Sequence, residues 1–336
     1  MKLFDSLMTL NKRLSQAPRL PWDDAGTWAS LVRVEATHAF PEELRTIVSE
    51  VQMYIAVSPA LQARCRRSID GAWEIAVDHS LVYTLAQLSL AFALYLENRT
   101  NEALPRVVLA AKAYLEQASD TFVPLAAYYS EGIFERLDTR IQGIIGDCFD
   151  SQLRFVLCHE LAHIVFDEQG TSEPQQDDTE TEVAADRIAA LAVGGFWSGD
   201  YDRGMHRLGF AAVLIGFLGL CQVIQANLGT NTLLFNDTDA VTRYCGAYVH
   251  AHHRYNSIEH GLGHTLSKWN AEEGTLKAGV EKCLLIKQVA INMYDHAFEL
   301  IRLFPKKLAD LPPELKSEAR RNTEVTLQKF LAYLRR

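Results

Sequence analysis

The chain has 336 residues, 48% of them hydrophobic and 22% charged, enough apolar material for one large domain or two packed ones and unlike a disordered, collagenous or coiled-coil chain. Lys and Arg number 33 against 42 Asp and Glu, a formal charge of −9. Without a clustered basic excess there is no electrostatic footprint for nucleic acid as a partner.

The N-terminal MKLFDSLMTLNKRLSQ places Asp5 where a signal peptide would begin its apolar run, so a cytoplasmic location is expected. The six cysteines (Cys65, Cys148, Cys158, Cys221, Cys245, Cys283) show no C-x-x-C spacing and read as reduced core thiols, in keeping with that compartment. Apolar residues recur at helical spacing over 41–65, 80–98, 102–118 and 283–304, which predicts a mainly α fold, α+β only through a small sheet. Strand candidates are 72–77 (AWEIAV) and 122–129 (FVPLAAYY), the second demoted to an edge by Pro124. Breaks fall near 18–24, 99–101, 167–181, 229–239 and 311–313. The expected organisation is an N-terminal helical segment, 1–68, packed on a main domain, 69–336. The run 208–224, LGFAAVLIGFLGLCQVI, is broken only by Gln222 and falls near the ~18-residue lower limit for a membrane span. Standing alone, it is expected to be a buried core helix, and membrane association is not expected.

The chemistry concentrates in 151–186. His159, Glu160, Leu161, Ala162 and His163 form H-E-x-x-H within a helical stretch, Leu153 to Phe166, that is otherwise nearly all apolar. Residues four apart project from one helix face, so both histidines can offer a ring nitrogen to one metal ion, with Glu160 about 100° round from His159 and able to reach water at that ion. Two imidazoles and a carboxylate are costly to bury in an apolar helix, and a metal would satisfy them directly or through its water. A catalytic zinc site needs a third protein ligand and keeps one position open. After a polar loop comes Glu182, heading E-V-A-A-D, whose small alanines allow close helix packing. Asp186, one turn on, can accept the second ring N–H of a ligand histidine. Glu180 competes as third ligand but has no Asp four residues later.

This motif pair, H-E-x-x-H followed by E-x-x-x-D, resembles the gluzincins, zinc metallopeptidases. HELAHIVFDE with EVAADRIAALA looks most like HtpX-like and Lit-like (phage-exclusion) bacterial peptidases. The resemblance implies a zincin-like helical core, Zn2+ held by His159, His163 and Glu182, Glu160 as general base and a protein or peptide substrate. The Lit-like variant, similar also in size and motif position, would imply an intracellular defence protease. HtpX-like enzymes usually add transmembrane helices, for which only 208–224 could serve. Members typically draw a His, Tyr or Arg from a later segment to stabilise the oxyanion, which would suit His253, Arg254 or Tyr255 in the histidine-rich stretch His250 to His264. Outside that role this stretch is expected to be a polar helix end and a loop punctuated by Gly261 and Gly263.

Four further features have plainer expectations. Cys158, about 100° off the ligand face, should pack in the core. The acidic loop 167–180 is expected to be a solvated connection rather than a selector of basic substrates. Tyr128 and Tyr129 are core aromatics or part of a substrate-binding edge strand, and Arg64-Cys65-Arg66-Arg67 is a solvated face. The expectation is therefore a zinc-dependent endopeptidase. Its rivals are a partner-binding or sensor protein with a structural or vestigial metal site, and a membrane-embedded peptidase.

Overall fold

The computed structural model describes residues 34–56, 62–116, 137–170, 178–230, 254 and 256–302. A helical turn at 34–39 leads into α1 (Glu42–Glu50), whose first turn carries Glu42 and Glu43 against the positive end of the helix dipole. Three strands follow: β1 (Gln52–Ala56), β2 (Ala63–Arg67) and β3 (Trp73–Asp78). They form one sheet in the order β1-β3-β2, with β1 parallel and β2 antiparallel to β3. The β2–β3 turn closes through Ser68 N–H to Ala72 O at 2.8 Å, with Gly71 at φ 85°, a conformation that glycine adopts without strain.

The rest is helical: α2 (His79–Leu96), α3 (Thr100–Glu116), α4 (Thr139–Glu168), α5 (Asp178–Val193), α6 (Tyr201–Thr230), α7 (residues 256–268) and α8 (Glu273–Arg302). Asp138 starts α4 by accepting from Ile141 N–H at 2.9 Å, an N-cap that satisfies one otherwise unpaired donor. α4 is the central helix, packed against α2, α5, α6 and β2, with Ile145, Leu157, Leu161 and Ile164 at 1% exposure or less. That surround explains why its sequence is apolar on nearly every face.

The fold is mainly α with a small sheet, as expected, and the strand candidate 72–77 overlaps β3 at 73–77. The helical pattern over 41–65 is corrected: the helix stops at Glu50, and among the described residues β1 takes 52–56 and β2 begins at 63. Met53 and Ile55 pack toward the core from a strand, because pairing with the buried β3 outweighs local helical spacing. The division at 68/69 falls in the β2–β3 turn, so strands on both sides of it belong to one sheet. The 208–224 run lies in α6, where Tyr201–Cys221 is long and apolar enough to cross a membrane by composition but has 72% of its most apolar window buried, as a core helix should. α7 is also a correction. Gly261 and Gly263 do not interrupt it; a Cβ on Gly261 would sit 2.9 Å from Ala190, so this glycine lets α7 lie directly on α5. The strand candidate 122–129, with Tyr128 and Tyr129, lies outside the described residues.

Candidate metal centre

α4 and α5 cross where the motif pair meets. Ala185, Ala189 and Ala190 are fully buried, and such small side chains let the two helices approach closely. His159 and His163 share one face of α4, their rings nearly perpendicular with centroids 4.7 Å apart. Their Nε2 atoms are 3.1 Å apart. From α5, Glu182 places Oε2 3.3 Å from His159 Nε2 and Oε1 3.3 Å from His163 Nε2.

These separations carry a simple geometric test. Donors bound tetrahedrally at zinc's ligand distances of about 2.0–2.2 Å lie ~3.3–3.5 Å from one another. The three side chains are already near that spacing, and among the described residues they are the group able to hold a metal ion. Their chemistry agrees. Burial alone would lower the His159 pKa, but hydrogen bonds with Asp186 and Glu182 outweigh it and hold the imidazole at about 10. Burial likewise opposes ionisation of Glu182, yet His159 and His163 keep its carboxyl well below the usual range. The pocket is thus built to hold positive charge, whether protons or a metal ion.

Behind His159, Asp186 is 0% exposed. Its Oδ1 lies 2.9 Å from His159 Nδ1, which leaves Nε2 facing Glu182 and His163. Asp186 also receives two hydrogen bonds from Arg254, Nε to Oδ2 at 2.6 Å and Nη2 to Oδ1 at 3.0 Å. Arg254 is the one proposed oxyanion donor among the described residues; His253 and Tyr255 lie outside them, as do His250 and His252. His260 and His264 lie together on α7, their rings tilted by 52° with centroids 4.3 Å apart, and do not belong to the metal-ligand group. The Glu180 side chain also lies outside the described residues.

Glu160 is 8% exposed and stands outside the ligand group. Its carboxylate lies close to the Cys65 thiol of β2, which burial and then Glu160 push up to about 12. Within the expected solvated face of β2, then, Arg64, Arg66 and Arg67 are about half exposed, while Cys65 turns inward. Tyr114 of α3 was also not evident from sequence. Its phenol is raised mainly by burial, then by Cys221, and feels the charges of both Arg254 and Glu182. Neither residue lies in a motif, so only the tertiary structure brings them to the site. Cys158 is buried in the core, as expected. Asp167 and Glu168 of the acidic connection pair with Arg67.

No family model, curated protein or solved structure matches the chain.

Proposed function

We propose that the protein is a zinc-dependent endopeptidase with a zincin-like core, hydrolysing peptide bonds without a covalent intermediate. The observation that carries this reading is the placement of two histidines and Glu182 at tetrahedral ligand spacing, with a buried carboxylate, Glu160, beside them and free of ligand duty. Zinc held by His159, His163 and Glu182 would supply Lewis acidity, lowering the pKa of water towards about 7 and polarising the scissile carbonyl. Glu160 takes the proton from the attacking water and passes it to the leaving amine. Asp186 fixes His159 in the tautomer that presents Nε2.

A peptide substrate fits the surroundings. β2 is the last strand in the sheet order, so among the described residues its outer edge is unpaired, and it runs beside Glu160. An extended chain can add to such an edge through backbone hydrogen bonds. A purely structural zinc site would close the fourth position with protein and would have no use for Glu160. The likeness to Lit-like peptidases extends the proposal to an intracellular protein substrate and a role in phage defence.

The test is hydrolysis of a quenched-fluorescence peptide library by zinc-loaded protein, with and without a strong chelator, beside Glu160→Gln. Cleavage abolished in both controls supports the proposal. Cleavage that persists in Glu160→Gln contradicts it.

A further inference from the structure

We infer that Arg254 is a positioning residue for the metal site, acting through Asp186 on His159. The inference deepens the metallopeptidase reading and rests on it for the presence of a metal. Arg254 enters at the start of the α7 segment, 68 residues beyond Asp186, and its side chain is 12% exposed. Two of its nitrogens bond the two oxygens of one carboxylate, the forked pairing that only a guanidinium can make, and one that fixes the plane of its partner. Asp186 Oδ1 then has one remaining duty, the 2.9 Å bond with His159 Nδ1.

A buried carboxylate opposite an imidazole, with nothing behind it, is free to rotate about its Cβ–Cγ bond. Rotation releases the hydrogen bond that aims His159 Nε2 at the metal position. The Arg254 fork prevents it by holding both oxygens in a fixed plane. Nε and Nη2 are engaged on Asp186, and swinging them away would strand a fully buried carboxylate.

Charge and orientation make opposite predictions, so a binding measurement separates them. Arg254 Nη2 is 4.0 Å from Glu182 Oε2, close enough to repel a bound divalent cation. If charge were its whole contribution, removing it would tighten zinc binding. If it positions Asp186, removal loosens zinc by about 10–100-fold, the usual effect of losing an outer partner of a metal ligand.

The experiment is a competition titration of zinc against a chromophoric chelator, using full-length metal-free protein and variants checked by circular dichroism. Arg254→Gln should weaken zinc about 10–100-fold, and Arg254→Lys, which keeps charge but loses the fork, should recover only part of that loss. Asp186→Asn should be weakened similarly, and adding Arg254→Gln to it should cause little further loss. Should Arg254→Gln fail to fold, the double variant, which has no stranded charge, is compared with Asp186→Asn alone. Unchanged or tighter zinc binding in Arg254→Gln, full recovery in Arg254→Lys, or additive losses in the double variant would overturn the inference. Failure of the wild-type chain to bind zinc would instead overturn the metallopeptidase reading.

Discussion

Trp73 Nε1 donates a 2.6 Å hydrogen bond to Glu168 Oε1, joining the first residue of β3 to the last residue of the metal-motif helix. Arg67 bonds the same carboxylate from β2 and lies over the Trp73 ring, 4.6 Å from its centroid. The hairpin that carries Cys65 to Glu160 is therefore pinned to the end of α4. Glu168 is 33% exposed, so solvent screens much of this attraction. Glu168→Gln should cost about 0.2–1 kcal/mol in denaturant unfolding and leave zinc binding intact; a loss above about 2 kcal/mol would show that the clamp bears more of the fold than its exposure implies.

Glu160→Gln should keep the fold and bind zinc, because Glu160 is outside the ligand group. Peptide turnover should fall by at least the roughly 10²–10⁴-fold that a general base contributes. Stoichiometric zinc with no turnover is the expected pair of results, and loss of zinc would reassign Glu160 as a ligand.

The choice between Glu182 and Glu180 is decided by metal content. Glu182→Ala should lose most of its zinc, since both of its oxygens face the histidine Nε2 atoms at 3.3 Å, while Glu180→Ala should keep a full complement. The opposite pattern would contradict the geometry described.

Two glycines of α7 should respond with opposite signs. Gly261→Ala drives a Cβ to within 2.9 Å of Ala190 and should destabilise by about 1–3 kcal/mol through overpacking. At Gly263 nothing lies within 4 Å, and Gly263→Ala should stabilise by about 0.5–1 kcal/mol by restricting the unfolded chain. Matching signs in chemical denaturation would mean that α7 does not lie on α5 as described.

The thiols set an alkaline limit. Burial pushes Cys65, Cys148, Cys158 and Cys283 up to about 12, against about 8.5 in an unfolded chain. A raised folded pKa contributes stability that is fully present below the unfolded value and is lost as pH rises through the folded one. The denaturation midpoint should therefore decline above about pH 9, and Cys158→Ala should flatten that decline. A midpoint that rises with pH in this range would be inconsistent with buried, protonated thiols.

Much of the candidate metal centre was legible because it is local. His159, Glu160 and His163 lie within little more than one helical turn, where the 3.6-residue period alone dictates which side chains converge. Glu182 and Asp186 were found by the same logic, one turn apart on a second helix. Arg254 was legible only as a residue type in a suggestive segment; its actual partner is 68 residues away, a contact that helical periodicity cannot encode. Cys65 and Tyr114 gave no signal, since each sits in an ordinary pattern and reaches the site through packing. The strands β1 and β2 were misjudged for a related reason: Met53 and Ile55 suit a helix face or a strand face, and the choice is made by β3, which lies later in the chain.

The most direct test of the account is the metal content of the full-length protein, purified without added zinc and measured by elemental analysis beside Glu182→Ala. The account predicts one zinc per wild-type chain and little or none in the variant, both folded by circular dichroism. A properly folded wild-type protein that contains no zinc and takes up none on titration would contradict it.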